Sequence, residues 1–246
     1  MKQGLARRGR IGAPLAALLV LCAGSATAQQ VFTPPPGCQG FLTVQSRGCK
    51  LSNHYRCSAD PAGHQWRVDF GALGAYFVSR IDAEAQWIQS VDLVSGVQQD
   101  LAAGAVDPAS FSGLLATGTD TYDFGQTASD GKRTRVRGFD TLTGRKVVVD
   151  GVELEETSFE FRETTADGIF LNTARGKEYI NRNWRLFFSG PSEWDGGQGF
   201  APYDQSPVRF DLPGDAGFMG VKPEFDCDAQ LAVLPLPLVP VKGVAP

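Results

Sequence analysis

The ten residues GCKLSNHYRC, numbers 48–57, hold two thiols, Cys49 and Cys57, and the imidazole of His54. A cysteine–histidine dyad needs a free thiolate. A zinc centre needs four such ligands at a recognisable spacing. Cys49, His54, Cys57 and His64 match no such spacing, so no metal and no cofactor is expected. The plainer reading is disulfide cysteines beside two ordinary histidines.

Other candidate chemistry lies in carboxylates and guanidiniums. Glu153 and Glu155 alternate along a strand-like stretch and share a face. Glu193 and Asp195 flank Trp194 in SEWDGG, an aromatic-plus-acid grouping that suits glycan chemistry. Exposed loops also look like this. Arg133, Arg135 and Arg137 form a ladder able to grip a carboxylate or phosphate, or to pair with acids of a neighbour such as DGVELEE. Asp120 with Asp123, and Asp226 with Asp228, fall outside the calcium-loop pattern. G-x-S-x-G, H-E-x-x-H and a phosphate-cradling glycine loop are all lacking. No catalytic residue is assigned.

The remaining signal is an apolar excess. NWRLFF is apolar on both faces and needs cover on two sides. Trp184, Phe187, Phe188 and the nearby Trp194 are therefore the candidate ligand contacts. The end of the chain, 229–246, is rich in both proline and apolar residues, unlike an ordinary polar tail.

Compartment follows from the first 28 residues. A basic start, a short apolar run and a small-residue end make a secretory signal peptide, with cleavage near Ala28. It contains four of the 23 basic residues and none of the 27 acidic ones, leaving a mature balance of −8. That charge argues against nucleic acid and anionic membrane surfaces. No later apolar run is long enough to span a bilayer. The expected location is the periplasm or the exterior.

The elements that must position these residues read as strands. HQWRVDF alternates His64, Trp66, Val68 and Phe70 against Gln65, Arg67 and Asp69. Similar runs recur at short spacing. SFEFRETTADGIFLNTARGKEY reads as a hairpin with Asp167-Gly168 as its two-residue turn, placing Glu160 opposite Arg175 and Phe161 opposite Ala174. One helix is expected over 108–116, with Asp107 as its cap. The fold class is all-β: an antiparallel meander forming a strongly curved sheet or barrel with one short helix, or alternatively a β-sandwich. An extended proline-rich lead-in (29–37), a single β domain (38–228) and the apolar tail (229–246) complete the organisation.

Four cysteines survive cleavage. As ends of one strand, Cys49 and Cys57 stand about 26 Å apart and cannot bond to each other. A hairpin turning at Arg47-Gly48 places Cys38 opposite Cys57, leaving Cys49 for Cys227. A turn near Asn53 would instead join Cys49 to Cys57 and Cys38 to Cys227.

The expectation that emerges is an exported β protein without an evident active site. It binds an apolar or amphipathic ligand, such as a lipid, inside a curved sheet. Two alternatives stand beside it. One is an envelope structural protein that docks to a partner protein through 229–246. The other is a glycan hydrolase using acidic residues.

Overall fold

The computed structural model describes residues 30–228. The expected signal peptide and the 229–246 tail lie outside the described residues. Among the described residues thirteen strands form one antiparallel sheet. They begin with β1 (Cys38–Ser46), β2 (Lys50–Cys57), β3 (Gln65–Gly71), β4 (Gly74–Ile81), β5 (Trp87–Asp92) and β6 (Gln98–Leu101). Helix α1 (Phe111–Thr117) intervenes before β7 (Thr119–Ala128). The longest strands follow, β8 (Arg133–Val149), β9 (Val152–Thr165) and β10 (Phe170–Asn181). The last described strands are β11 (Leu186–Asp195), β12 (Ala201–Asp204) and β13 (Pro207–Asp211).

From β1 to β12 each strand pairs with the next, and β13 returns to pair with β1. The sheet is coiled but not closed by hydrogen bonds. Its β1–β13 end packs against the back of β9–β11. Leu42 and Val44 of β1 and Phe210 of β13 join Leu154, Leu186 and Phe188 in one buried cluster. The tip of the β8–β9 hairpin is fastened there, because Asp150 accepts a hydrogen bond from the Phe210 amide at 2.9 Å.

The β1–β2 hairpin pairs Cys38 with Cys57, and these cysteines are bonded. Its turn differs from the expected two residues. Ser46 faces Lys50, so Arg47, Gly48 and Cys49 form a three-residue loop. A register shift between Gly40 and Leu42 then restores the expected pairing at Cys38. Cys49, with φ of 55°, turns out of the hairpin and bonds Cys227.

The β9–β10 hairpin behaves the same way. Thr165 and Ile169 close a three-residue loop in place of the two-residue turn at Asp167-Gly168. Gly168 supplies its positive φ of 93°. A shift between Phe170 and Asn172 restores Glu160 opposite Arg175 and Phe161 opposite Ala174.

Helix α1 starts later than expected. Ser110, rather than Asp107, caps it by accepting a hydrogen bond from the Gly113 amide. Asp107 is diverted to the Thr121 hydroxyl at 2.6 Å. The glutamate of the preceding loop reinforces the start, since Glu84 accepts from the Ser112 amide at 2.8 Å. Phe111 and Leu114 pack with Ile180 and Phe187, so the helix covers part of the sheet's inner face.

The outer face of β2–β4 is apolar and covered by the segments that precede β1 and follow β13. Leu51, Tyr55, Val68 and Phe70 pack against Phe32 and Val221. The lead-in and the segment after β13 thus take the place of a second sheet. Their backbone also satisfies buried polar groups. Asn53 donates to the Gly220 carbonyl at 2.7 Å, and Gln45 donates to that of Lys222 at 3.1 Å.

Candidate ligand cavity

With the outer face of β2–β4 taken by those two segments, the polar face of these strands turns inward. Lys50, His54, Gln65 and Arg67 line a cavity of about 630 Å³. Phe77 of β4 joins them, and the facing wall is aromatic, with Phe161, Phe187 and Trp194, while Trp87 of β5 also lines the cavity. This volume lies within the range of ligand pockets. An adjoining recess of about 480 Å³ lies beneath Trp194, Pro202 and Tyr203.

The polar wall is organised around Asp69, whose side chain is 2 % exposed. It accepts a 2.6 Å hydrogen bond from Ser52. Lys50 Nζ lies 3.3 Å away, and Arg67 Nε lies 3.0 Å away. Burial pushes the Asp69 carboxyl up, but Arg67, Lys50 and the Ser52 hydroxyl together hold it below its ordinary value. Burial likewise lowers the Lys50 ammonium, against the pull of Asp69. The group carries two basic side chains and one carboxylate, and Glu163 and Glu178 line the same cavity.

His54 borders this group and packs between Phe41 and Phe188. Burial, then the Arg67 charge, pushes it down to about 3, so it is neutral at ordinary pH. Its Nδ1 has no hydrogen-bond partner among the described residues. Burial and Asp69 push the Tyr203 hydroxyl up to about 12.

The four aromatic candidates separate. Phe187 and Trp194 line the cavity. Phe188 and Trp184 lie in the cluster behind β11, in ring contact with each other and with Phe210. NWRLFF is therefore covered on both sides, as its composition requires, but only one side meets the cavity. Sequence reading missed Lys50, Asp69, Trp87, Phe161 and Glu178. The available signal was the apolar residues flanking the strands, Phe32 before β1 and Val221 after β13, which cover one face of the sheet and send its polar face inward.

The other candidate groups are engaged elsewhere. Arg135 and Arg137 both pair with Asp123 on the adjacent β7, not with the acids of DGVELEE. Glu153 pairs with Lys146, Glu155 with Arg182, and Glu193 with Arg175. Asp195 accepts the Gly197 and Gly199 amides. Among the described residues no cluster of three or more His, Cys, Asp or Glu is arranged to hold a metal, and no helix is long and apolar enough to cross a membrane. No family model, curated protein or solved structure matches the chain.

Proposed function

We propose that this chain is an exported binding protein that holds an apolar or amphipathic ligand inside its coiled sheet. The observation that carries this reading is the cavity of about 630 Å³, with an aromatic wall facing the Lys50–Asp69–Arg67 group. Phe161, Phe187 and Trp194 offer surface to an apolar body, while the charged side favours a polar end. Two disulfides support maturation in an oxidising compartment. That is the periplasm or the exterior, after cleavage near Ala28.

The test is a fluorescence titration with N-phenyl-1-naphthylamine, a neutral apolar probe. Saturable enhancement is expected, weakened several-fold in Trp194→Ala. A linear, non-saturating response contradicts the proposal.

A further inference from the structure

Beside helix α1 a chamber of about 100 Å³ adjoins the main cavity. The two share Trp87, Phe161, Phe187 and Glu178 as walls. Half of the chamber's lining residues are aromatic, four are acidic, and none is Lys, Arg or His. Trp87 stands edge-on to Phe124 and to Phe161, with ring centroids 6.0 and 6.3 Å apart. Tyr122 lies against Phe124 at 6.0 Å. Aromatic faces carry partial negative charge and attract cations, most strongly organic ammonium ions.

Two of the four acids already have partners. Glu84 holds the start of α1 and the Arg185 guanidinium, and Asp120 accepts the Ser110 amide at 2.8 Å. The other two do not share that arrangement. Asp140 is 8 % exposed, and its Oδ1 is buried without a hydrogen-bond partner among the described residues. Glu178 lies beside it on the chamber wall. Burial, then the Asp120 charge, raises Asp140 to about 7. Burial, then the Asp140 charge, raises Glu178 well above its ordinary value, against the opposing pull of the Arg67 charge from the main cavity. Neighbouring buried carboxyls resist ionising together without a counter-charge. A buried carboxyl oxygen with no partner calls for one.

We propose that this chamber is a subsite for an organic ammonium group, held by Trp87, Tyr122, Phe124 and Phe161 with Asp140 and Glu178 as counter-ions. Its volume admits a group of a few heavy atoms, such as trimethylammonium, but not a further ring system. This inference rests on the ligand-carrier reading and deepens it. The ligand has an ammonium end in the chamber and an apolar body in the main cavity.

Choline and its neutral carbon isostere, 3,3-dimethylbutan-1-ol, differ in charge but hardly in shape. Calorimetric titration of the full mature protein should show choline binding at least ten-fold more tightly. The double variant Asp140→Asn, Glu178→Gln should lose that preference. Trp87→Leu keeps an apolar side chain, covers the case in which the double variant fails to fold, and should weaken choline about three- to ten-fold. Equal binding of choline and isostere, no binding of either, or an undiminished preference in the variants overturns the inference. Naphthylamine binding to the wild type, measured in parallel, separates the two readings. If the probe binds and choline shows no preference, only the ammonium subsite is overturned. If neither binds, the carrier reading falls with it.

Discussion

Phe187 and Phe188 are adjacent in the chain yet belong to different bodies of the protein. Phe187 meets Phe111 of the helix at 5.5 Å between ring centroids and lines the cavity. Phe188 meets Phe210 at 5.3 Å in the cluster behind the sheet. Their substitutions should therefore have different consequences. Phe188→Ala should cost about 3–5 kcal/mol in urea unfolding, because it hollows a close-packed cluster. Phe187→Ala should cost less and weaken naphthylamine binding several-fold. Equal stability losses with unchanged binding would show that the two faces are not distinct.

Among the described residues, Asp69 is the one carboxylate within ion-pair distance of both Lys50 and Arg67. Asp69→Asn removes the carboxylate with which both cations pair. Removing one member of a buried ion pair costs about 3–5 kcal/mol. A loss below 1 kcal/mol would mean that water enters the cavity freely enough to solvate both cations.

His54 and Asp140 give opposite pH signatures. His54 falls from 6.5 to about 3 on folding, so the unfolded chain binds its proton more readily. Its contribution is complete above pH 6.5 and is lost as pH falls toward about 3. Asp140 rises from 3.8 to about 7. Its contribution is complete below pH 4 and is lost as pH rises through about 7. The His54 shift corresponds to roughly 5 kcal/mol over its window. His54→Gln should therefore gain on the wild type as pH drops from 7 to 4, and Asp140→Asn as pH rises from 4 to 8. Chemical unfolding at pH 4, 6 and 8 reads both slopes, and parallel pH profiles for wild type and variants contradict these assignments.

The Cys49–Cys227 bond spans 178 residues and ties the segment after β13 to the first hairpin. Replacing both cysteines with serine should cost roughly 4–5 kcal/mol on the chain-entropy account. Because that segment also supplies the Gly220 and Lys222 carbonyls and the Val221 side chain to β1–β2, hydrogen exchange should quicken there first. Unchanged exchange at 217–225 would show that the segment is held without the bond.

The antiparallel meander and the pairings across two hairpins were legible from alternation and charge. The loops were not. Both hairpins have three-residue loops, at 47–49 and 166–168, and both regain the expected register through a bulge, near Phe41 and near Leu171. Counting outward symmetrically from an assumed turn finds the distant pairs and misses two compensating irregularities. The helix cap was assigned three residues early because Asp107 and Ser110 are both good caps. The choice was decided by Thr121, which occupies Asp107. The cavity was the least legible feature. Alternation in β3 separates Trp66, Val68 and Phe70 from Gln65, Arg67 and Asp69, but it does not say which set faces inward. Phe32 and Val221 decide that by covering the apolar set from outside. Nor does spacing reveal that Asp140 and Glu178, distant in sequence, line one chamber.

The most direct test of the central claim is native mass spectrometry of the mature protein purified from its own host, before and after extraction with organic solvent. The account predicts an added mass of a few hundred daltons that extraction removes, identifiable as an amphipathic compound. A bare polypeptide mass in repeated preparations, unchanged by extraction, would contradict it.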